Sequence, residues 1–166
     1  GVDKMKFAGR TDVNLVREFF TMNGIPTSEE NFRRFFERYV FWLDQILRHS
    51  ETTACPGVLE LMQELGRLPE PPRLGLLTGS IRLGAEIKLR HFDLWKEFET
   101  GGFADDHEDR DQIAHAAFKR GSRVLGRSAP KMPCARRPVG LHWRARAGAP
   151  GTFLLVTKTP QAKTSR

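Results

Sequence analysis

The chain has 166 residues, of which 39% are hydrophobic and twelve are Phe, enough for one domain with a sizeable core and a small inserted subdomain. No run approaches the ~18 consecutive apolar residues of a membrane span. Cys55 and Cys134 have neither metal-ligand nor disulfide-framework spacing, which favours a reducing compartment. We therefore expect a cytoplasmic location and no membrane partner.

The net charge of +7 comes from one end of the chain. Ten of the 27 basic residues lie in residues 121–166, which contain no Asp or Glu, so the first 120 residues carry 17 basic and 20 acidic side chains. Residues 121–166 are rich in Ala, Arg, Gly and Pro and have no helical periodicity, a composition typical of poorly ordered sequence. Within them, only residues 152–157 have the composition of a strand.

The first 53 residues predict two amphipathic helices. Thr11 or Asp12 caps the first helix, which ends at Asn23 and Gly24, and Ser28 opens the second. Aromatic and aliphatic residues recur at helical spacing in both. We expect the two helices to bury these faces on each other or on a neighbouring domain.

From Pro56 onward, helix and strand patterns alternate. A helix ending near Gly66 precedes an apolar strand at 73–77, a helix at 80–90, a strand at 99–103 and a helix that begins at Asp109 or Asp111. This order predicts a βαβ arrangement in a parallel sheet.

The turn Thr78-Gly79-Ser80 lies between the first of these strands and the helix after it. Open α/β sheets bind ligands at the carboxyl ends of their strands, and free N–H groups at the start of a helix attract anions. The same pattern fits an ordinary strand-to-helix turn in which Ser80 is the N-cap. Taken alone, the pattern favours the ordinary turn.

Four stretches occur in an order that resembles one family of enzymes. They are residues 7–12 (FAGRTD), 56–58 (PGV), 74–79 (LGLLTG) and 101–110 (GGFADDHEDR). Together they resemble the haloacid dehalogenase-like hydrolases, in particular the phosphoglycolate phosphatase-like branch, over about residues 1–120. The resemblance implies an α/β fold with a Rossmann-like core, here incomplete, and an α-helical cap. Residues 1–53 would be the cap, residues 54–120 the partial core and residues 121–166 the basic tail.

The resemblance also implies an activity and a set of site residues. The family hydrolyses phosphate monoesters with Mg²⁺ through an aspartyl-phosphate intermediate, which implies a small phosphorylated metabolite as partner. The Thr78 hydroxyl would hold the phosphoryl group with the N–H groups of Gly79 and Ser80, and Arg110 would offset the phosphate charge. Arg10 and Asp12 would lie at the boundary of cap and core, where helix capping and hinge packing compete with substrate contact as their role.

The residues that perform the chemistry in this family are missing from the chain. The family nucleophile is the first Asp of an Asp-x-Asp-Gly-Thr motif, which occurs nowhere here, and no acidic pair follows residue 120. Attack on phosphorus needs an oxygen nucleophile, and Mg²⁺ prefers carboxylate ligands. We therefore expect an inactive fragment, truncated before Gly1 and aberrant after about residue 121, where the composition is that of a GC-rich gene read out of frame.

Other candidate residues have simpler interpretations. Asp105 and Asp106 are adjacent acids in a polar loop, where solvation or capping is the usual role, and His107 and His115 have no partner at metal-ligand spacing. The alternative to a phosphatase is a non-catalytic phosphate-binding protein or a nucleic-acid binder that uses its basic tail. Because the first 120 residues show no basic face, we do not expect nucleic acid as the partner.

Overall fold

The computed structural model describes residues 5–7, 9–69 and 71–124 of the chain. They form a mixed fold of helices with one small parallel sheet of two strands. In chain order the elements are α1 (Asp12–Met22), α2 (Glu29–Arg48), α3 (Val58–Gly66), β1 (Gly75–Leu77), α4 (Arg82–His91), β2 (Thr100–Gly102) and α5 (Arg110–Val124). In this part of the chain, no helix is long and apolar enough to cross a membrane.

Two side-chain caps begin the first two helices, as the sequence predicted. The Thr11 hydroxyl oxygen accepts a hydrogen bond from the N–H of Asn14 at 3.3 Å, and Thr11 is extended, as an N-cap should be. The Ser28 hydroxyl accepts from the N–H of Asn31 at the same distance. The chain turns between the two helices at Gly24, which has a left-handed φ of 65°.

Aromatic side chains join α1 to α2. Phe19 and Phe20 of α1 lie against Phe32 and Phe35 of α2, with ring centroids 5.2 to 6.3 Å apart. The helix α2 also packs against α4, where the Tyr39 ring lies so close to Gly84 that a methyl group there would come within 3.1 Å of it. The helical hairpin is therefore anchored on the α/β part of the chain.

The strands β1 and β2 pair in parallel, with Leu76 opposite Gly101, and α4 forms the crossover between them. The helix α5 then covers the sheet. It lies so close to β2 that a methyl group on Gly102 would come 2.5 Å from the carbonyl oxygen of Ile113. The parallel βαβ arrangement predicted from the sequence is confirmed.

Two small clusters make up the core around the sheet. Met62, Leu74 and Leu94 form one, which joins α3 to the segments flanking the strands. Leu76, Ala85 and Phe103 form the other, which joins β1 to α4 and to the residue after β2. These contacts hold the carboxyl ends of both strands in place beside the first turn of α4.

The elements differ from the sequence predictions at their ends. Each strand has only three residues, and α4 begins at Arg82 with Ile81 in the N-cap position, so Ser80 is not its cap. The helix α5 continues past the predicted boundary at residue 121; there the Ser122 hydroxyl donates to the carbonyl of Phe118 and Gly121 is buried. The rest of the tail, including the strand predicted at 152–157, lies outside the described residues.

Candidate functional site

The candidate site lies where β1 and β2 end and α4 begins. The backbone N–H of Thr78 donates to the carbonyl of Gly102 at 3.1 Å, and the N–H of Ala104 donates to the carbonyl of Ser80 at 2.9 Å. These two bonds join the loops that leave the two strands. The turn at residues 78–80 is therefore held in position by the loop that leads to Arg110.

Three chain segments meet at Gly79. A methyl group built on Gly79 would lie 2.9 Å from the carbonyl oxygen of Arg10, 3.1 Å from Nη1 of Arg110 and 3.2 Å from the Cα of Thr11. Real Cβ atoms almost never approach backbone atoms this closely, so only glycine fits without a shift of the chain. The site residues that the sequence assigned to separate motifs thus lie beside one turn.

The turn offers hydrogen-bond donors that are free within the described part of the chain. The Thr78 Oγ1 accepts the N–H of Ser80 at 3.1 Å and keeps its own proton to donate. The N–H of Gly79 has no acceptor among the described residues, and the Arg110 guanidinium makes no hydrogen bond or ion pair with them. By contrast, the N–H of Ser80, which the resemblance assigned to the phosphate, is already engaged.

Asp12 attaches the start of α1 to the start of α4. Its N–H donates to the carbonyl of Gly79 at 2.7 Å, and its Oδ2 accepts the N–H of Ile81 at 3.0 Å. Burial raises the pKa of the Asp12 carboxyl above its ordinary value, although the Ile81 N–H and the ammonium of Lys88 oppose that shift. These bonds give Asp12 a capping role at the start of α4.

Lys88 and Tyr39 complete the surroundings of Asp12 and were not identified from the sequence. The Lys88 Nζ donates to Oγ of Ser80 at 3.3 Å and lies 5.9 Å from the centroid of the Tyr39 ring. Burial and the negative charge of Asp12 raise the pKa of the Tyr39 hydroxyl. Lys88 follows the buried Ile81 and Ala85 at helical spacing. A lysine on the apolar face of α4 is the sequence feature from which its role could have been predicted.

Arg10 directs its side chain away from the turn. Its Nε donates to Oδ1 of Asn14 at 2.8 Å, and its guanidinium pairs with Glu18 of α1. Only its backbone carbonyl reaches Gly79. The Arg10 side chain therefore packs along α1, and only its backbone lies beside the turn.

Thr11 and Glu108 form a second connection between α1 and the loop after β2. The Thr11 hydroxyl donates to the carbonyl of Glu108 at 3.0 Å, and Thr11 is only 1% exposed. The Glu108 carboxylate pairs with Arg17, which lowers the pKa of that carboxyl below its ordinary value. This loop leads directly to Arg110, so α1 and Arg110 are positioned together.

The acidic residues after β2 bind protein groups. The Asp105 carboxylate accepts the N–H of Arg82 at the start of α4. Asp106 accepts the N–H of Phe103 at 2.9 Å and pairs with Arg120 of α5, which lowers the pKa of the Asp106 carboxyl. Both carboxylates are therefore occupied in fixing the loop that carries Arg110.

The described residues do not fit a Mg²⁺ ion. Among them, no group of three or more His, Cys, Asp or Glu side chains is arranged to hold a metal. His107 accepts the N–H of Asp109 through Nδ1 at 2.9 Å, and His115 is exposed on α5. At the turn, the Thr78 hydroxyl, the N–H of Gly79 and the Arg110 guanidinium are the donors without an acceptor among the described residues.

Comparison with known proteins adds no assignment. Neither a scan against models of protein families nor a search among curated proteins finds a match to this chain.

Proposed function

We propose that this chain is a phosphatase of the haloacid dehalogenase-like type by descent that keeps its phosphate-binding turn and has lost hydrolytic activity. The ligand would be the phosphate group of a small phosphorylated metabolite, held by the Thr78 hydroxyl, the N–H of Gly79 and the Arg110 guanidinium. The Rossmann-like core with a helical cap is part of the same proposal.

The observation that supports it best is the convergence at Gly79. A hydroxyl donor from the end of β1 and a guanidinium from the start of α5 lie at one glycine turn, and neither has another acceptor among the described residues. A charged donor and oriented neutral donors at the carboxyl end of a parallel strand suit an anion with several oxygens.

The proposed loss of hydrolytic activity has a chemical reason. Phosphoryl transfer in this family needs the Asp nucleophile of the Asp-x-Asp-Gly-Thr motif, and that motif does not occur in this chain. Arginine and threonine at the turn can stabilise charge but cannot start the reaction. The purified chain should bind phosphate without turning over an ester.

Calorimetric titration with inorganic phosphate at fixed ionic strength tests the binding. We expect Arg110→Gln to weaken binding about tenfold, since a charge-assisted bond to the anion is lost. The matched control is Arg123→Gln, which removes the same charge from an exposed position in the last turn of α5. Equal affinities for the two variants, or no phosphate binding by the unaltered chain, would overturn the proposal.

A turnover assay tests the loss of activity. With p-nitrophenyl phosphate and Mg²⁺, the chain should release p-nitrophenol no faster than buffer. A Mg²⁺-dependent rate that disappears in Thr78→Ala would contradict the proposed inactivity and would show that a nucleophile is present after all.

A further inference from the structure

The amino end of α4 is already occupied by carboxylates of the protein itself. Asp12 accepts the N–H of Ile81 at 3.0 Å, and Asp105 accepts the N–H of Arg82. Three consecutive N–H groups, those of Ser80, Ile81 and Arg82, therefore have acceptors within the chain, while the preceding N–H of Gly79 has none among the described residues. An anion held at Gly79 would lie beside the Asp12 carboxylate.

Asp12 is held by contacts that differ from those of a surface acid. Its backbone N–H donates to the carbonyl of Gly79, which holds the main chain beside the turn, and its Oδ2 accepts the N–H of Ile81, which holds the carboxylate at the start of α4. The charged and titratable groups around it are Lys88 of α4, Tyr39 of α2, Asp105 after β2 and Arg110 at Gly79. Lys88 is the cation that compensates Asp12, whereas Asp105 adds a second negative charge.

We infer that the Asp12 carboxylate acts as an internal competitor of the anionic ligand, so that binding at the turn is coupled to uptake of a proton by Asp12. This inference rests on the proposed phosphate binding and describes its regulation. While Asp12 is ionised, an incoming anion meets a negative charge held beside the same turn, which opposes its binding. When Asp12 is protonated, it can still accept the Ile81 N–H, and the electrostatic opposition is gone.

The burial of Asp12 sets the direction of this coupling. Because burial raises the pKa of the Asp12 carboxyl, protonation is easier here than for an exposed acid, and a bound anion favours it further. By linkage, a ligand that favours the protonated form binds more tightly as the pH falls. The site would therefore gain affinity in acidic conditions without any change in the ligand.

The experiment compares anion affinity in two variants of equal charge change. Asp12→Asn keeps an oxygen acceptor for the Ile81 N–H and removes the negative charge. The control Asp44→Asn removes an exposed carboxylate on α2 that pairs with Arg48. Sulfate is the probe, because it stays a dianion from pH 4 to pH 8 and any dependence on pH then belongs to the protein. Calorimetry gives the affinity of each variant.

At pH 7 we expect Asp12→Asn to bind sulfate about tenfold more tightly than the unaltered chain, and Asp44→Asn to bind as the unaltered chain does. The unaltered chain should gain affinity as the pH falls from 7 to 4, and Asp12→Asn should lose most of that gain. If the unaltered chain binds sulfate and Asp12→Asn binds no more tightly, the inference is wrong while the proposed function stands.

Two further outcomes also decide the matter. If neither the unaltered chain nor Asp12→Asn binds sulfate or phosphate, the proposed function fails and the inference fails with it. If Asp12→Asn does not fold, the unaltered chain alone is decisive, since a sulfate affinity that stays constant from pH 7 to pH 4 would exclude coupling to Asp12.

Discussion

Arg120 binds both carboxylate oxygens of Asp106, at 2.6 and 2.5 Å, and its Nη1 also donates to the carbonyl of Gly101 at 2.9 Å. One guanidinium thus joins α5, the middle of β2 and the loop that follows it. Two parallel N–H bonds to a carboxylate are among the stronger polar contacts in proteins. The Asp106 side chain is only 15% exposed, so this pair is better shielded than most surface pairs.

Replacing Asp106 with Asn should lower the free energy of unfolding at pH 7 by about 1 kcal/mol, a figure reduced for the partial exposure of Arg120. Arg120 lowers the pKa of the Asp106 carboxyl in the folded state. The stabilisation is therefore complete above the unfolded pKa, about 3.9, and is lost as the pH falls through the lower folded value. Urea unfolding from pH 7 to pH 2 measures it. The comparison is Asp93→Asn, which removes a carboxylate whose side chain is 83% exposed and paired with Lys96, and which should cost less than Asp106→Asn at pH 7.

Replacing Thr11 with Val should cost about 1–2 kcal/mol of stability. Valine has nearly the same shape but loses the cap to Asn14 and the hydrogen bond to the Glu108 carbonyl, both at a buried position. The comparison is Ser28→Ala, which removes an exposed cap with no second partner and should cost less, about 0.5–1 kcal/mol. Equal losses in thermal unfolding would show that the contact to Glu108 adds nothing.

Replacing Gly79 with Ala should destabilise the fold by about 1–3 kcal/mol, because the new methyl group would lie 2.9 Å from the backbone oxygen of Arg10. Gly66→Ala is the matched control, since nothing lies within 4 Å of its added methyl group, and alanine should stabilise the end of α3 by a few tenths of a kcal/mol. Denaturant midpoints of the two variants give the comparison. A neutral Gly79→Ala would mean that the segment at Arg10 yields easily.

Replacing Asp12 with Asn should raise stability at pH 7. The folded pKa of the Asp12 carboxyl lies above the unfolded value, so its stabilising contribution is present below the unfolded pKa and is lost as the pH rises through the folded pKa. The advantage of Asp12→Asn should therefore be largest at neutral pH and shrink towards pH 3. Chemical unfolding across this range measures it, and a variant less stable than the unaltered chain at pH 7 would contradict the sign.

Structural features that depend on residues close together in the sequence could be predicted. The caps at Thr11 and Ser28 and the parallel pairing of the strands follow from local patterns of polar and apolar residues. The bonds of Asp12 to Gly79 and Ile81 could not be predicted, because they join segments about seventy positions apart. The start of α4 was predicted at the wrong residue for the same reason. The N–H of Ser80 donates to the Thr78 hydroxyl, and the N–H groups of Ile81 and Arg82 donate to carboxylates from other segments, so the helix begins without a local side-chain cap.

The bonds of Thr11 and Arg17 to Glu108 span 97 and 91 positions, whereas β1 and β2 pair across only 25. Closing the longer loop costs more chain entropy, so during folding the strands and α4 should assemble first and α1 should dock afterwards. The same order in reverse describes a low-energy partial opening, in which α1 separates while the sheet persists. Native-state hydrogen exchange would then show the amides of Asp12 and Ile81 exchanging together and ahead of Leu76.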